Sequence, residues 1–160
     1  HPSTQLCLEL IEKYTQKDQP VIDIGCGSGI LSIGAFKLGA SKALAVDIDP
    51  AAVGATLSNA SLNDAESQVE AGQGSVSEVL QGQYSFRSAP LVLANILAPV
   101  IIRLLDGGLA DLVEPEGTLI LAGILDEQAE GVRIKAEEKG LTFLEQRQMD
   151  DWVALALQKK

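Results

Sequence analysis

The 160-residue chain is short of the residues that build metal sites, disulfide frameworks and nucleic-acid surfaces. It has one histidine and two cysteines, Cys7 and Cys26, with no C-x-x-C pair. That leaves too few ligands for a structural zinc site, and no metal is expected. Two cysteines make no disulfide framework, so both thiols should be free, as in a reducing cytoplasm. Basic residues number 12 against 22 acidic ones, a formal net charge of −10. A phosphate backbone needs clustered Lys and Arg, so nucleic acid is not the expected partner, whereas a basic protein suits the charge. No apolar run reaches the length of a membrane span, and no charged start followed by an apolar block marks a signal peptide. The chain begins at His1 rather than methionine and reads as a piece of a longer protein.

What the chain has is apolar mass: 46% of its residues are hydrophobic, enough for one domain with a substantial core. Neither repeats nor a linker divide it. The organising stretch is Val21-Ile22-Asp23-Ile24-Gly25-Cys26-Gly27-Ser28-Gly29-Ile30. An apolar run breaks into alternating glycines and a strongly apolar helical pattern follows, the strand–turn–helix opening of a doubly wound nucleotide-binding fold. The spacing is G-x-G-x-G, with Ile30 where a dinucleotide fingerprint has its third glycine. A diphosphate lying on the helix start is therefore not the best match. A second apolar run ends at Asp47, about twenty residues on, where an acid can accept hydrogen bonds from both ribose hydroxyls. Asp49, before Pro50 and a helical stretch, reads as an N-cap.

The remaining pattern alternates helices and strands. An amphipathic helix over Ser3 to Thr15 carries Cys7, Leu10, Ile11 and Tyr14 on one face, with Ser3 or Thr4 as its cap. Helices follow over 30–38 and 51–63, the latter with Val53, Leu57 and Ala60 along one stripe. A weak strand covers 68–71, and 73–88 reads as loop with one helical turn near 76–80. Strand 90–94 closes on Asn95, at the lip where open α/β sheets place their ligands. A helix over 99–113, a strand over 117–122 and a helix capped by Asp126 and ended by Gly140 come next. Runs 142–148 and 152–157 are separated by too little chain for a helical crossover and must pair antiparallel. The result is an α/β, doubly wound, seven-stranded, mostly parallel sheet with one antiparallel strand. His1 invites a base role but reads as a disordered chain end or a remnant of a substrate loop, and Trp152 reads as core.

Asp-Ile-Gly-Cys-Gly-Ser-Gly together with Asp47 resembles the class I S-adenosylmethionine-dependent methyltransferases. The closer resemblance is to the PrmA family, methyltransferases of protein eleven of the large ribosomal subunit. It rests on His1-Pro2-Ser3-Thr4, the glycine turn, Val46-Asp47-Ile48-Asp49-Pro50, Ala94-Asn95-Ile96-Leu97-Ala98, Gly123-Ile124-Leu125 and Asp151-Trp152. Ile-Leu-Ala stands where base- and glutamine-methylating enzymes carry Pro-Pro-Tyr, so their stacking aromatic is missing. The resemblance implies S-adenosylmethionine as cofactor, with Thr4, Gly25, Gly27, Asp47 and Asn95 as its contacts and Asn95 also catalytic. It implies methylation of lysine and N-terminal amines of a ribosomal protein in the cytoplasm. Residues 1–160 would then be the catalytic domain, without the amino-terminal domain that grips the substrate. Other readings are a class I methyltransferase of a different protein or small molecule, a nicotinamide-binding oxidoreductase, and a cofactor-binding module without catalysis.

Overall fold

The computed structural model describes every residue from His1 to Lys160. Seven strands form one sheet: β1 Val21–Ile24, β2 Ala43–Asp47, β3 Val69–Gln73, β4 Ala89–Asn95, β5 Val113–Leu125, β6 Leu141–Met149 and β7 Trp152–Lys159. Six α-helices alternate with them: α1 Pro2–Tyr14, α2 Ile30–Lys37, α3 Pro50–Leu62, α4 Val76–Leu80, α5 Ala98–Asp106 and α6 Asp126–Glu138. The strand order is β3-β2-β1-β4-β5-β7-β6, with the pairs from β3 to β5 parallel and β7 reversed between β5 and β6. This is the sheet expected from the alternating pattern and the closing hairpin. No helix is long and apolar enough to cross a membrane.

Both sheet faces are covered, which is why the central strands are almost continuously apolar. Successive side chains point to opposite faces. Ile22, Leu44, Val92 and Leu121 therefore join one core under α4, α5 and α6, which contribute Val79, Ile101 and Val132. Val21, Ala45, Leu93 and Ile120 join the other, under α1, α2 and α3, which contribute Leu10, Leu31 and Ala60. Chain order reverses its direction across the sheet between β1 and β4, the switch point at which such sheets open a crevice.

Several boundaries differ from the sequence pattern. The apolar spacing over 99–113 is not one helix: α5 stops at Asp106, Gly107-Gly108 break it, and Leu109–Leu112 form a 3-10 turn. Leu109 and Leu112 are still buried, so the spacing reported burial rather than helix. β5 is much longer than 117–122, because Val113 already pairs with β4 and Leu125 with β7. On α3 the buried stripe is Thr56 and Ala60, while Leu57 is half exposed. Asp126 is the first helical residue of α6, and the Leu125 amide donates to Gln128 Oε1 at 3.0 Å instead. His1, not Ser3 or Thr4, caps α1: its Nδ1 accepts from the Ser3 amide at 3.1 Å, with Pro2 in the first turn. Asp49 caps α3 as expected, accepting from the Ala51 amide at 2.9 Å.

Candidate functional site

The turn after β1 is built by three glycines in left-handed backbone, Gly25, Gly27 and Gly29, at φ 76°, 55° and 84°. Gly25 and Cys26 amides both donate to the Val46 carbonyl, at 2.8 and 3.0 Å, fastening the turn to β2. A Cβ on Gly25 would lie 2.6 Å from Ile96 Cγ2, so the space beside the turn is reserved. The helix α3 backs the turn from behind. Thr56 Oγ1 donates to the Gly27 carbonyl at 3.0 Å, and Asn59 Nδ2 to the Ser28 carbonyl at 2.8 Å. Sequence patterning missed both residues, since polar side chains on a helix read as solvated; their proximity to the glycine turn depends on how α3 packs.

Asp47, at the carboxyl end of β2, is oriented by two backbone donors. Its Oδ2 accepts from the Gly27 amide and its Oδ1 from the Asp49 amide, each at 3.0 Å. One lone pair on each oxygen is thereby used and the others remain for hydroxyl donors. Asp23, two residues before Gly25, has a different environment. It is 1% exposed, accepts from Ser32 Oγ at 2.8 Å through Oδ2, and its Oδ1 has no partner. Burial pushes its carboxyl up to about 6 against the lowering bond from Ser32, and the charge of Asp47 raises it further.

A cleft of about 510 Å³ opens at the switch point, along the carboxyl ends of β2, β1, β4 and β5. Gly25, Asp47 and Asn95 are in its wall. Gly27 is behind Asp47, bonded to it, and Thr4 lies outside the wall on the first turn of α1, while its neighbours His1 and Ser3 line it. Asn95 makes no side-chain hydrogen bond within the chain, so its amide is free to meet a ligand. Gly123 on β5 makes room for it: a Cβ there would lie 3.0 Å from Asn95 Oδ1 and 2.6 Å from the Ile96 carbonyl oxygen. Ile48 and Leu97, 74% and 66% exposed, flank the mouth and offer apolar surface for a flat ring.

Two sequence expectations change here. His1 is ordered, with Nδ1 also 2.8 Å from Ser3 Oγ. Trp152 is half-buried and, besides packing against the core as expected, lines the cleft, with its ring 4.7 Å from that of His1 in an edge-to-face arrangement. Register explains why the pattern misled: Trp152 begins β7 opposite Leu125, at the open end of the strand where the sheet stops covering it. The two thiols are free and buried, as expected, and no group of side chains could hold a metal ion.

A doubly wound sheet closed by a reversed seventh strand, with a backbone-oriented acid at the end of β2 and a glycine turn after β1, is the class I methyltransferase architecture. The chain belongs, within it, to the ribosomal protein L11 methyltransferase (PrmA) family, whose profile matches residues 1–160. It is similar to the ribosomal protein L11 methyltransferase of Herpetosiphon aurantiacus, 42% identical over 99% of this chain and 54% of that protein. The enzyme of the same name from Aliivibrio fischeri is 41% identical over 100% of the chain and 52% of its own length. The chain thus spans about half the length of these curated relatives. Among solved structures it resembles a ribosomal protein L11 methylase from Lactobacillus delbrueckii subsp. bulgaricus. That match has a TM-score of 0.87 and 30% identity over 99% of this chain and 79% of the other.

Proposed function

We propose that the chain is the catalytic domain of a protein methyltransferase. It transfers methyl groups from S-adenosylmethionine to amino groups, on lysine side chains and an N-terminal amine, of a large-subunit ribosomal protein. The observation that carries this reading is one cleft with a hydroxyl-accepting carboxylate, Asp47, towards one end and the unpartnered amide of Asn95 further along. Family membership supports the reading, as does the fit of the residues to a ribonucleoside: open lone pairs on Asp47, no Cβ at Gly25 and apolar flanks at Ile48 and Leu97. Two free thiols suit a reducing cytoplasm. The surplus of ten acidic side chains suits a basic protein substrate.

When bound, S-adenosylmethionine supplies a methyl group on a sulfonium, open to in-line attack by an amine lone pair. Asp47 would hold the ribose hydroxyls, and the Gly25 and Gly27 backbone would allow the cofactor close approach. Thr4, on the first turn of α1, lies outside the cleft wall, and its cofactor contact rests on the family resemblance alone. An attacking lysine must first lose its proton, from a reference pKa of about 10.4. Asn95 Oδ1 would accept an amine hydrogen and aim the lone pair, so the site works mainly by orientation. The apolar flanks favour the neutral amine by desolvation.

Calorimetric titration with S-adenosylmethionine and, separately, with NAD tests this reading. Saturable binding of the sulfonium nucleoside alone, weakened by Asp47→Ala, supports it. Binding of NAD in its place would turn the cleft into an oxidoreductase site and end the proposal.

A further inference from the structure

The strand order gives the cleft a direction. Asp47 ends β2, Gly25 follows β1, Asn95 ends β4, Gly123 is on β5 and Trp152 begins β7. With neighbouring strands about 4.8 Å apart, Asp47 and Trp152 lie roughly 19 Å from one another along the sheet edge. Gly123 sits in a register shift of β5 against β7, between Leu121 and Ile124, and the absence of a side chain there leaves room for Asn95 in the same cleft wall that Trp152 lines. If Asp47 takes the ribose, the far end, beyond Asn95, is where the accepting amine enters. That end has no carboxylate in its wall, and its rings are the Trp152 indole and the His1 imidazole.

The indole is itself held. His1 Nδ1 accepts from the Ser3 amide at 3.1 Å and lies 2.8 Å from the Ser3 hydroxyl. An imidazole nitrogen that accepts is unprotonated, so the cap requires the neutral ring with its proton on Nε2. Ser3 is 5% exposed, which fixes this corner. The ring so fixed meets Trp152 edge-to-face with centroids 4.7 Å apart, within the range of favourable aromatic pairs. A base role for His1 is incompatible with the cap, because Nδ1 is already occupied.

We propose that Trp152 is the acceptor-end wall of the cleft, its indole receiving the substrate nitrogen as that nitrogen becomes cationic, and that His1 positions the indole. The inference rests on the methyl-transfer reading above. In that reaction the nitrogen lone pair forms the N–C bond, the C–S electron pair returns to sulfur, and the positive charge passes from sulfur to nitrogen. One proton then leaves the new ammonium for solvent. Attraction between a cation and an indole face is therefore absent for the neutral amine and grows as the bond forms, which is the interaction that accelerates a step. A carboxylate in the same place would instead hold the unreactive protonated amine.

Trp152 is the only tryptophan, so its fluorescence reads this wall and nothing else. The chain, saturated with S-adenosylhomocysteine, is titrated with choline and with choline's uncharged carbon isostere, dimethylbutanol. Expected is a saturable change in emission with choline, at least tenfold weaker in half-saturating concentration for the isostere. His1→Asn, which keeps an N-cap but removes the ring edge, should shift the emission of the free chain and weaken the choline response several-fold. In methyl transfer, Trp152→Leu should lower kcat at least tenfold with the S-adenosylmethionine Kd within about twofold, and Trp152→Phe should restore most of the loss. Equal responses to choline and its isostere, or a Trp152→Leu enzyme with unchanged kcat, would overturn the assignment. Failure of S-adenosylhomocysteine to bind in calorimetry would instead overturn the methyl-transfer reading itself.

Discussion

On the β2–β1 side of the switch point, the groups facing the cleft are fixed by backbone hydrogen bonds. On the β4–β5–β7 side they are side chains fixed by packing. Asp47 is held by the Gly27 and Asp49 amides, and the glycine turn by the Val46 carbonyl. Asn95 has no such tether, and it and Trp152 depend on the space left by Gly123 and on the ring of His1. The difference suits the two duties. On the proposed function, one side would hold the same nucleoside in every turnover, while the other would admit a side chain carried by a separate protein.

If this division is real, Asp47→Ala should have the largest effect on ligand binding and little on stability. Two hydrogen bonds from ribose hydroxyls to a carboxylate, at about 1.5–3 kcal/mol each, amount to at least a hundredfold in Kd. Calorimetry should find that loss for S-adenosylmethionine, with a melting temperature within a few degrees of the parent chain. A large fall in melting temperature would mean that the carboxylate is a structural tether of the turn.

Gly123→Ala probes the other side through its packing. The new Cβ would meet the Ile96 carbonyl oxygen at 2.6 Å, in left-handed backbone at φ 79°. Backbone cannot swing aside as a side-chain tip does, so we expect a stability loss of about 3 kcal/mol. Gly27→Ala, equally left-handed at φ 55° but with open space around it, should cost only about 1 kcal/mol. Denaturant midpoints of the two variants compare strain with and without a clash. Similar losses would show that backbone conformation alone dominates.

The same division accounts for what could be read from the sequence. Gly25, Gly27 and Asp47 announce themselves as candidates because residue type and spacing along one strand–turn–helix unit single them out. Asn95 was legible as a strand end. The contribution of Gly123 was not, since it arises from a bulge between β5 and β7, and neither was the exposure of Trp152, which depends on where β7 starts against Leu125. Thr56 and Asn59 were hidden for a similar reason: their partners are carbonyls about thirty residues away. Apolar spacing over 99–113 located buried residues correctly and the helix end wrongly, because a 3-10 turn after Gly108 keeps Leu109 and Leu112 facing the same core.

Asp23 sharpens the comparison through pH. Its carboxyl is raised from 3.8 to about 6, mainly by burial, so the folded chain binds its proton more tightly than the unfolded chain does. The folded state therefore gains from this group below about pH 4 and loses that gain as the pH rises through 6. Relative to Asp23→Asn, the parent chain should lose about 2 kcal/mol between pH 4 and pH 7, measured by denaturation at each pH. The backbone-fixed side would then carry a stability cost that the packed side lacks. Parallel pH profiles for the two proteins would remove that cost from the account.

The smallest expected effect tests whether the two sides are independent. Glu145 on β6 accepts from Lys13, Tyr14 and Arg147, and Arg147 reaches Glu9, so α1 is tied to the outer hairpin. The bonds from Lys13 and then Tyr14 hold the Glu145 carboxyl down to about 2, against an ordinary value of 4.5. A lowered folded value means that the contribution is present above about pH 4.5 and is lost as the pH falls towards 2. Lys13 is half exposed, and solvent screening reduces the gain to below about 1 kcal/mol. Glu145→Gln should therefore cost less than about 1 kcal/mol at pH 7, less still in 1 M salt, and nothing resolvable near pH 2. Because His1 caps α1 and Ser3 lies in its first turn, the variant should disturb Trp152 fluorescence while leaving the Kd for S-adenosylmethionine within about twofold. A tenfold weaker Kd would mean that α1 transmits strain to the Asp47 side, and the cleft would then have to be treated as one mechanical unit.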